Sequence, residues 1–283
     1  MGSKYVSAAA LILAVVAIGH MFISGGTDSQ VSDASQIFDR GSIRIGYVVY
    51  PPLLIKDPNT GKLSGVSYDI VEAAAKNLGL KTNWVEEVGW GSMIEGLRTN
   101  RYDIIGTQIW PNSQRAREAK FSKPVMYSLL YAYGRAGDGR FKGGISLLND
   151  RGVTLATIDG EITSFVAKDT FPLAKTVALP QLSSPAEVLL TVAGRKADAT
   201  FTEPVNAAGY LKNNPGSIQK IGSAPIRTFE NVFAVARGND ELLDMWNTAL
   251  TELAFDGSIK RILQKYDVAG SFFPPAAPVG TSW

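Results

Sequence analysis

Leu97-Arg98-Thr99-Asn100-Arg101-Tyr102-Asp103-Ile104 returns in altered form as Val192-Ala193-Gly194-Arg195-Lys196-Ala197-Asp198-Ala199. Each copy carries the end of an apolar helix through a short basic turn into an aspartate and an apolar strand. A chain that passes twice through one helix-turn-strand unit reads as two lobes of the same plan. Upstream of the first copy, Ile43 to Val49 reads as a strand that ends at Tyr50-Pro51-Pro52. Tyr68 to Leu78 sets Ile70, Val71, Ala74, Ala75 and Leu78 at helical spacing, and Gly79 stops the helix. Lys81 to Val88 is a strand, Ser92 to Arg98 a short helix, and Tyr102 to Thr107 a strand again. Around the second copy, Val153 to Ile158 and Ala197 to Phe201 are strands, and Gly160 to Thr170 suits a helix. Ser184-Pro185-Ala186-Glu187 is a capping box with proline at the first helical position, so a helix is predicted to run to Ala193 and stop at Gly194. Strands alternating with helices predict an α/β fold with mainly parallel sheets.

Strand-like Leu129 to Tyr133 leads into a Gly-rich link, Gly134 to Gly144, and Val232 to Ala236 returns after Pro225. Two helices follow, Asp240 to Phe255 and Ser258 to Tyr266, separated by Asp256-Gly257. If they pack back on the first lobe, two extended crossovers join the lobes, a topology that suits a hinge. The expected organisation is lobe 1 over 37–134, lobe 2 over 135–228, a return to lobe 1 over 229–272, and an irregular Pro-rich tail over 273–283. Residues 1–36 stand apart. Lys4 precedes the apolar run Tyr5 to Ile23, long enough to cross a hydrocarbon core of about 30 Å, and a polar segment from Ser24 to Gln36 leads into the globular region. This is expected to be an export signal peptide or a retained N-terminal membrane anchor. In either case the remainder lies outside the cytoplasm, periplasmic or extracellular.

Composition excludes several functions. Cysteine is absent and the single histidine, His20, sits in the apolar leader, so neither a thiolate nucleophile nor a histidine triad or metal site is available. A net charge of +2 without a basic run gives no footprint for nucleic acid. Gly61-Lys62 lacks the surrounding residues of a phosphate-cradling loop. No cofactor, no metal and no catalytic residue is expected.

From Ser42 to Tyr266 the chain resembles the family 3 extracellular solute-binding proteins, the amino-acid receptors of ABC importers. The resemblance rests on Ile43-Arg44-Ile45-Gly46 with Tyr50-Pro51-Pro52, and on Gly61-Lys62-Leu63-Ser64-Gly65 followed by Tyr68-Asp69-Ile70. It continues through Trp90, Tyr102-Asp103-Ile104-Ile105, Arg115 with Phe121-Ser122-Lys123-Pro124, Ser184-Pro185-Ala186-Glu187, Ala197-Asp198-Ala199 and Lys265-Tyr266. It implies a two-lobed, type II periplasmic-binding-protein fold with two crossover strands and a ligand cleft between the lobes. The implied function is capture of an amino acid or similar small polar solute by lobe closure, for delivery to permease subunits, by a monomer.

Candidate ligand-binding residues follow, some at positions that match the family and some where the chain departs from it. Arg115 would hold the ligand carboxylate, a role that suits the planar guanidinium fork; the bland alternative is a surface arginine paired with Glu118. Glu203 would meet the amino group where the family usually has aspartate, or else serve only as an acid at a helix start beside Pro204. Trp90, Tyr50 and Trp110 would form an aromatic wall, and Gln108 belongs to the same set. Trp110 stands where the family usually has a small hydroxyl residue, and Asn112 where it commonly has threonine. The largest departure is Glu161, in place of the Ser or Thr that follows the glycine of Asp159-Gly160. Either Glu161 and Glu203 together favour a cationic ligand, or Glu161 points to solvent; Thr163 or Ser164 would then supply the missing hydroxyl. Two other functions share the fold: a cyclohexadienyl-dehydratase-like enzyme using Glu203 or Glu161 as its acid, and a membrane-anchored sensory module.

Overall fold

The computed structural model describes residues 33–275. The chain enters through α1 (Asp33–Arg40) and β1 (Ser42–Tyr47). The short strands β2 (Ile55–Lys56) and β3 (Leu63–Ser64) pair with each other ahead of α2 (Val66–Asn77). The first half continues with β4 (Lys81–Glu87), α3 (Met93–Arg98), β5 (Ile104–Ile109) and β6 (Ala119–Phe121). The ten-residue strand β7 (Met126–Arg135) leads to the second half: β8 (Thr154–Ile158), α4 (Ile162–Thr170), β9 (Lys175–Leu179), α5 (Pro185–Ala193), β10 (Ala199–Thr202), α6 (Pro204–Asn213) and β11 (Ile218–Ile221). A second ten-residue strand, β12 (Arg227–Ala236), returns, and α7 (Asp240–Phe255), α8 (Ser258–Tyr266) and β13 (Phe272–Phe273) close the chain.

One sheet path, β4-β1-β5-β12-β7-β10-β8-β9, runs through the molecule. Within the first half β1 lies parallel to β4 and β5; within the second, β8 lies parallel to β9 and β10. In the sheet path the halves join through the two long strands. β7 and β12 pair antiparallel where Met126–Leu130 face Arg227–Asn231. Beyond that shared stretch β7 serves the second half through β10, and β12 serves the first through β5 and β6. This is a two-lobed α/β fold with two crossover strands, and α7 and α8 pack on α2 of the first lobe.

The repeated sequence unit is a repeated hydrogen-bond pattern. Among the described residues, the two non-glycine positions with positive φ are Asn100 (54°) and Arg195 (63°), which occupy the same place in the two copies. The turns around them match bond for bond: Arg101 N donates to Gly96 O and Lys196 N to Thr191 O, and Asn100 N donates to Leu97 O as Arg195 N does to Val192 O. Each aspartate then accepts the backbone N–H at or near the start of the adjacent strand. Asp103 takes that of Arg44 at 2.7 Å and Asp198 that of Thr154 at 2.9 Å. Arginines neutralise both aspartates, Arg40 and Arg44 in one lobe, Arg135 and Arg140 in the other.

Several boundaries differ from the sequence expectation. The polar segment expected up to Gln36 gives way at Asp33 to α1, because Ala34 and Ile37 fall three residues apart and both are fully buried. The strand expected from Tyr102 starts at Ile104, since the two preceding residues are engaged elsewhere: the Tyr102 hydroxyl donates to Met93 O, and Asp103 binds β1. Phe273, expected in the irregular tail, pairs with Tyr127 of β7. The apolar run Tyr5 to Ile23 lies outside the described residues. Among the described residues no helix is long and apolar enough to cross a membrane.

Candidate functional site

Parallel strands end together in each lobe, and the residues just past those ends face a common gap. Tyr50 follows β1, Trp90 follows β4, and Trp110 and Arg115 follow β5; from the second lobe, Glu161 follows β8 and Glu203 follows β10. Open α/β sheets bind ligands beyond the carboxyl ends of their strands, where loops present side chains and helices present N-termini. A small cavity of about 20 Å³ lies there, lined by Tyr50, Trp90, Gln108, Trp110, Arg115, Glu161 and Glu203 together with the apolar side chains of Leu53, Ile109 and Ile162.

The lobes touch across this cavity. Tyr50 Oη donates to Glu203 Oε2 at 2.9 Å, Arg115 Nη2 donates to Gly160 O at 3.0 Å, and Gly91 N donates to Gln181 Oε1 at 3.0 Å. Gly160 is at φ 73°, and a Cβ there would come within 2.7 Å of Gly91 N. The backbones therefore meet closely enough at this point to require glycine.

Arg115 sits in a short 3₁₀ turn, Arg115–Arg117, and is 7% exposed. Its Nη1 also donates to Trp110 O at 2.9 Å, and its own N–H is held by Asn112 Oδ1. Among the described residues no carboxylate lies within ion-pair distance of it, so the expected alternative, a surface pairing with Glu118, does not occur. Burial lowers its guanidinium to about 10, with the Glu161 charge acting in the opposite sense.

The two acids reach the cavity by different local routes. Glu161 is the N-cap of α4, and its Oε2 accepts from Thr163 N at 2.8 Å and from Thr163 Oγ1 at 2.6 Å. At 4% exposure it does not point to solvent. Burial pushes its carboxyl up to about 7, against the Thr163 hydrogen bonds that favour the ionised form. Glu203 is the N-cap of α6, but its side chain makes no cap bond; proline at the first helical position removes one donor, and the carboxylate turns across the cleft instead. Asn206 Nδ2 donates to its Oε2 at 2.9 Å. Burial raises the Glu203 carboxyl, and burial with the charges of Glu203 and Glu161 raises the Tyr50 hydroxyl well above its ordinary value.

Thr163 and Ser164, the expected hydroxyl donors, are not among the residues that line the cavity. The Thr163 hydroxyl donates to Glu161 and accepts from Ile158 N at 3.0 Å, which fixes it to the helix start. Ser164 Oγ donates to Glu161 O at 2.6 Å, so it is committed in the same way. Among the aromatics, Tyr50 and Trp90 meet edge to face at 5.4 Å, while Trp110 stacks on Phe229 of β12 at 4.2 Å and donates Nε1 to Asn231 Oδ1. Three buried polar atoms of cavity-lining side chains have no hydrogen-bond partner: Trp90 Nε1 and both amide atoms of Gln108. Asn206 and Gln181 were missed by the sequence reading. Asn206 follows Glu203 by three residues, a spacing that brings it back over a helix start; nothing local marks Gln181. Among the described residues no group of His, Asp and Glu is arranged to hold a metal.

Residues 43–269 match the family model for bacterial extracellular solute-binding proteins, family 3. The chain belongs to this family. Curated relatives of this family 3 protein include a probable amino-acid ABC transporter-binding protein of Haemophilus influenzae, 27% identical over 239 residues, covering 83% of this chain and 89% of the relative. Another is the L-cystine-binding protein TcyA of Bacillus subtilis, 27% identical over 262 residues and covering 89% and 94% of the two chains. Among solved structures, an ancestral amino acid-binding protein described as a precursor of cyclohexadienyl dehydratase superposes with a TM-score of 0.73 at 27% identity. It spans 83% of this chain and 99% of its own. These relatives are named as binding proteins, and each match spans most of both chains.

Proposed function

We propose that this protein is the extracytoplasmic receptor of an ABC importer and captures an amino acid by closing its two lobes. One observation carries the proposal. A guanidinium from the first lobe and a carboxylate from the second, Arg115 and Glu203, face one buried cavity without pairing with each other. That arrangement complements the two ends of a zwitterion. The carboxylate of the ligand meets the guanidinium fork, its ammonium meets Glu203 beside the Tyr50 hydroxyl, and Gln108 and Trp90 supply the unpartnered donors and acceptor. A ligand that touches both lobes favours the closed arrangement by its differential affinity for it. The names of the relatives support the solute class, and the family's extracellular placement supports export through the apolar run near the N-terminus. Docking on permease subunits, action as a monomer, and binding without catalysis belong to the same proposal.

The test is a thermal-shift screen against amino acids, repeated on Arg115→Ala. Saturating ligand at about 100 times its dissociation constant adds about 2.7 kcal/mol of stability. Removing one partner of a buried charge pair costs binding about 2–5 kcal/mol, so the variant should lose nearly all of the shift. An undiminished shift in Arg115→Ala removes that residue from the site.

A further inference from the structure

We propose that the ligand carries a second cationic group beside its ammonium, and that Glu161 receives it, which makes this a receptor for diamino or guanidino acids. The inference rests on the amino-acid reading above and deepens it.

Three side chains among those lining the cavity are ionisable to a full charge at neutral pH: Arg115, Glu161 and Glu203. Both acids are almost completely buried, at 4% and 3% exposure. A neutral zwitterion matches Arg115 with its carboxylate and one acid with its ammonium, and leaves the other carboxylate buried and uncompensated. Desolvating an unpaired charge is costly, whereas a matched buried pair recovers much of that cost. A ligand with one negative and two positive groups balances the site.

The local geometry fits this assignment. Among the described residues, the hydrogen bonds that Glu161 and Glu203 accept from other residues use Oε2, from Thr163 in one case and from Tyr50, Thr202 and Asn206 in the other. The Oε1 atoms are thus left for a ligand. The Thr163 bonds also favour the ionised form of Glu161, which suits a cation. Tyr50 and Trp90 line the same cavity, and aromatic faces attract cations and not anions. The competing assignment is a protonated Glu161 that donates to the ligand carboxylate, which would leave the site selective for neutral amino acids.

Competition binding by calorimetry on the full chain distinguishes these. L-lysine, L-ornithine and L-arginine are compared with L-alanine, L-serine and L-glutamine near pH 7.5. The wild-type protein should bind the best of the cationic group tighter by about tenfold or more than the best neutral amino acid. Glu161→Gln keeps an acceptor for Thr163 and should erase most of that preference. Equal or tighter binding of the neutral group by the wild type overturns the proposal, whatever the variant does, while leaving the receptor reading in place. Retention of the full preference in a folded Glu161→Gln protein also overturns it. Failure of both groups to bind the wild type overturns this proposal and the amino-acid reading together.

Discussion

Glu161 stands where local and global demands meet. As the N-cap of α4 it satisfies an orphan backbone donor, a role in which serine, threonine, aspartate or asparagine would do as well. As a cavity wall it places a carboxyl in a low-dielectric gap, and its ionisation becomes a stability term for the closed arrangement. Its pKa there, about 7, lies above the ordinary 4.5, so the closed protein binds more protons than the unfolded chain between those values. The contribution is present below about pH 4.5 and is lost as pH rises through about 7. Urea unfolding of the ligand-free protein should therefore show stability falling from about pH 5 to about pH 8. Glu161→Gln should flatten the slope in part, because the raised Glu203 carboxyl acts in the same direction; an unchanged slope in the variant would remove Glu161 as a source. Arg115, Glu203, Trp90 and Tyr50 were legible as candidates from their positions in the family pattern, Trp110 and Gln108 were candidates without a family match, and all six line one cavity. Thr163 was not legible in its actual role: a hydroxyl two residues past a glycine looks like a ligand donor, and the sequence does not show that Glu161 captures it first.

Elements whose shape is set by nearby residues were read well, and those set by distant contacts were not. The Ser184–Glu187 capping box forms in full, with Ser184 N donating to Glu187 Oε2 at 2.7 Å and Glu187 N to Ser184 Oγ, and α5 ends at Ala193 as its pattern predicts. The repeated turn was equally visible, because a basic loop and an aspartate at fixed offsets dictate the same hydrogen bonds in both lobes. By contrast α1, the pairing of Phe272–Phe273 with β7, and the meeting of Gln181 with Gly91 depend on tertiary partners far away in sequence. The Gly160 corner shows how narrow that meeting is. Gly160→Ala adds strain at positive φ of about 1–2 kcal/mol and drives a methyl against the Gly91 backbone across the cleft. Titration with any amino acid bound by the wild type should show affinity reduced by about tenfold or more, with the protein still folded. Wild-type affinity in Gly160→Ala would mean that this corner does not close on the ligand.

On the scale of the whole molecule, two lobes of one plan share a sheet path through β7 and β12, while the cavity-lining side chains come from the strand ends of each lobe. On the proposed closure, rotation about the two paired strands would carry those loops as groups and separate Arg115 from Gly160 and Tyr50 from Glu203. Opening rehydrates a guanidinium and two carboxylates; closure strips them again and is favourable only where a ligand of complementary charge replaces the water. Small-angle scattering of the protein with and without a saturating L-amino acid that raises its melting temperature tests this most directly. The radius of gyration should fall on adding the amino acid, and the fall should be absent in Arg115→Ala at the same ligand concentration. A scattering curve that stays the same while the wild-type protein is fully occupied would contradict closure across the Arg115–Glu203 gap.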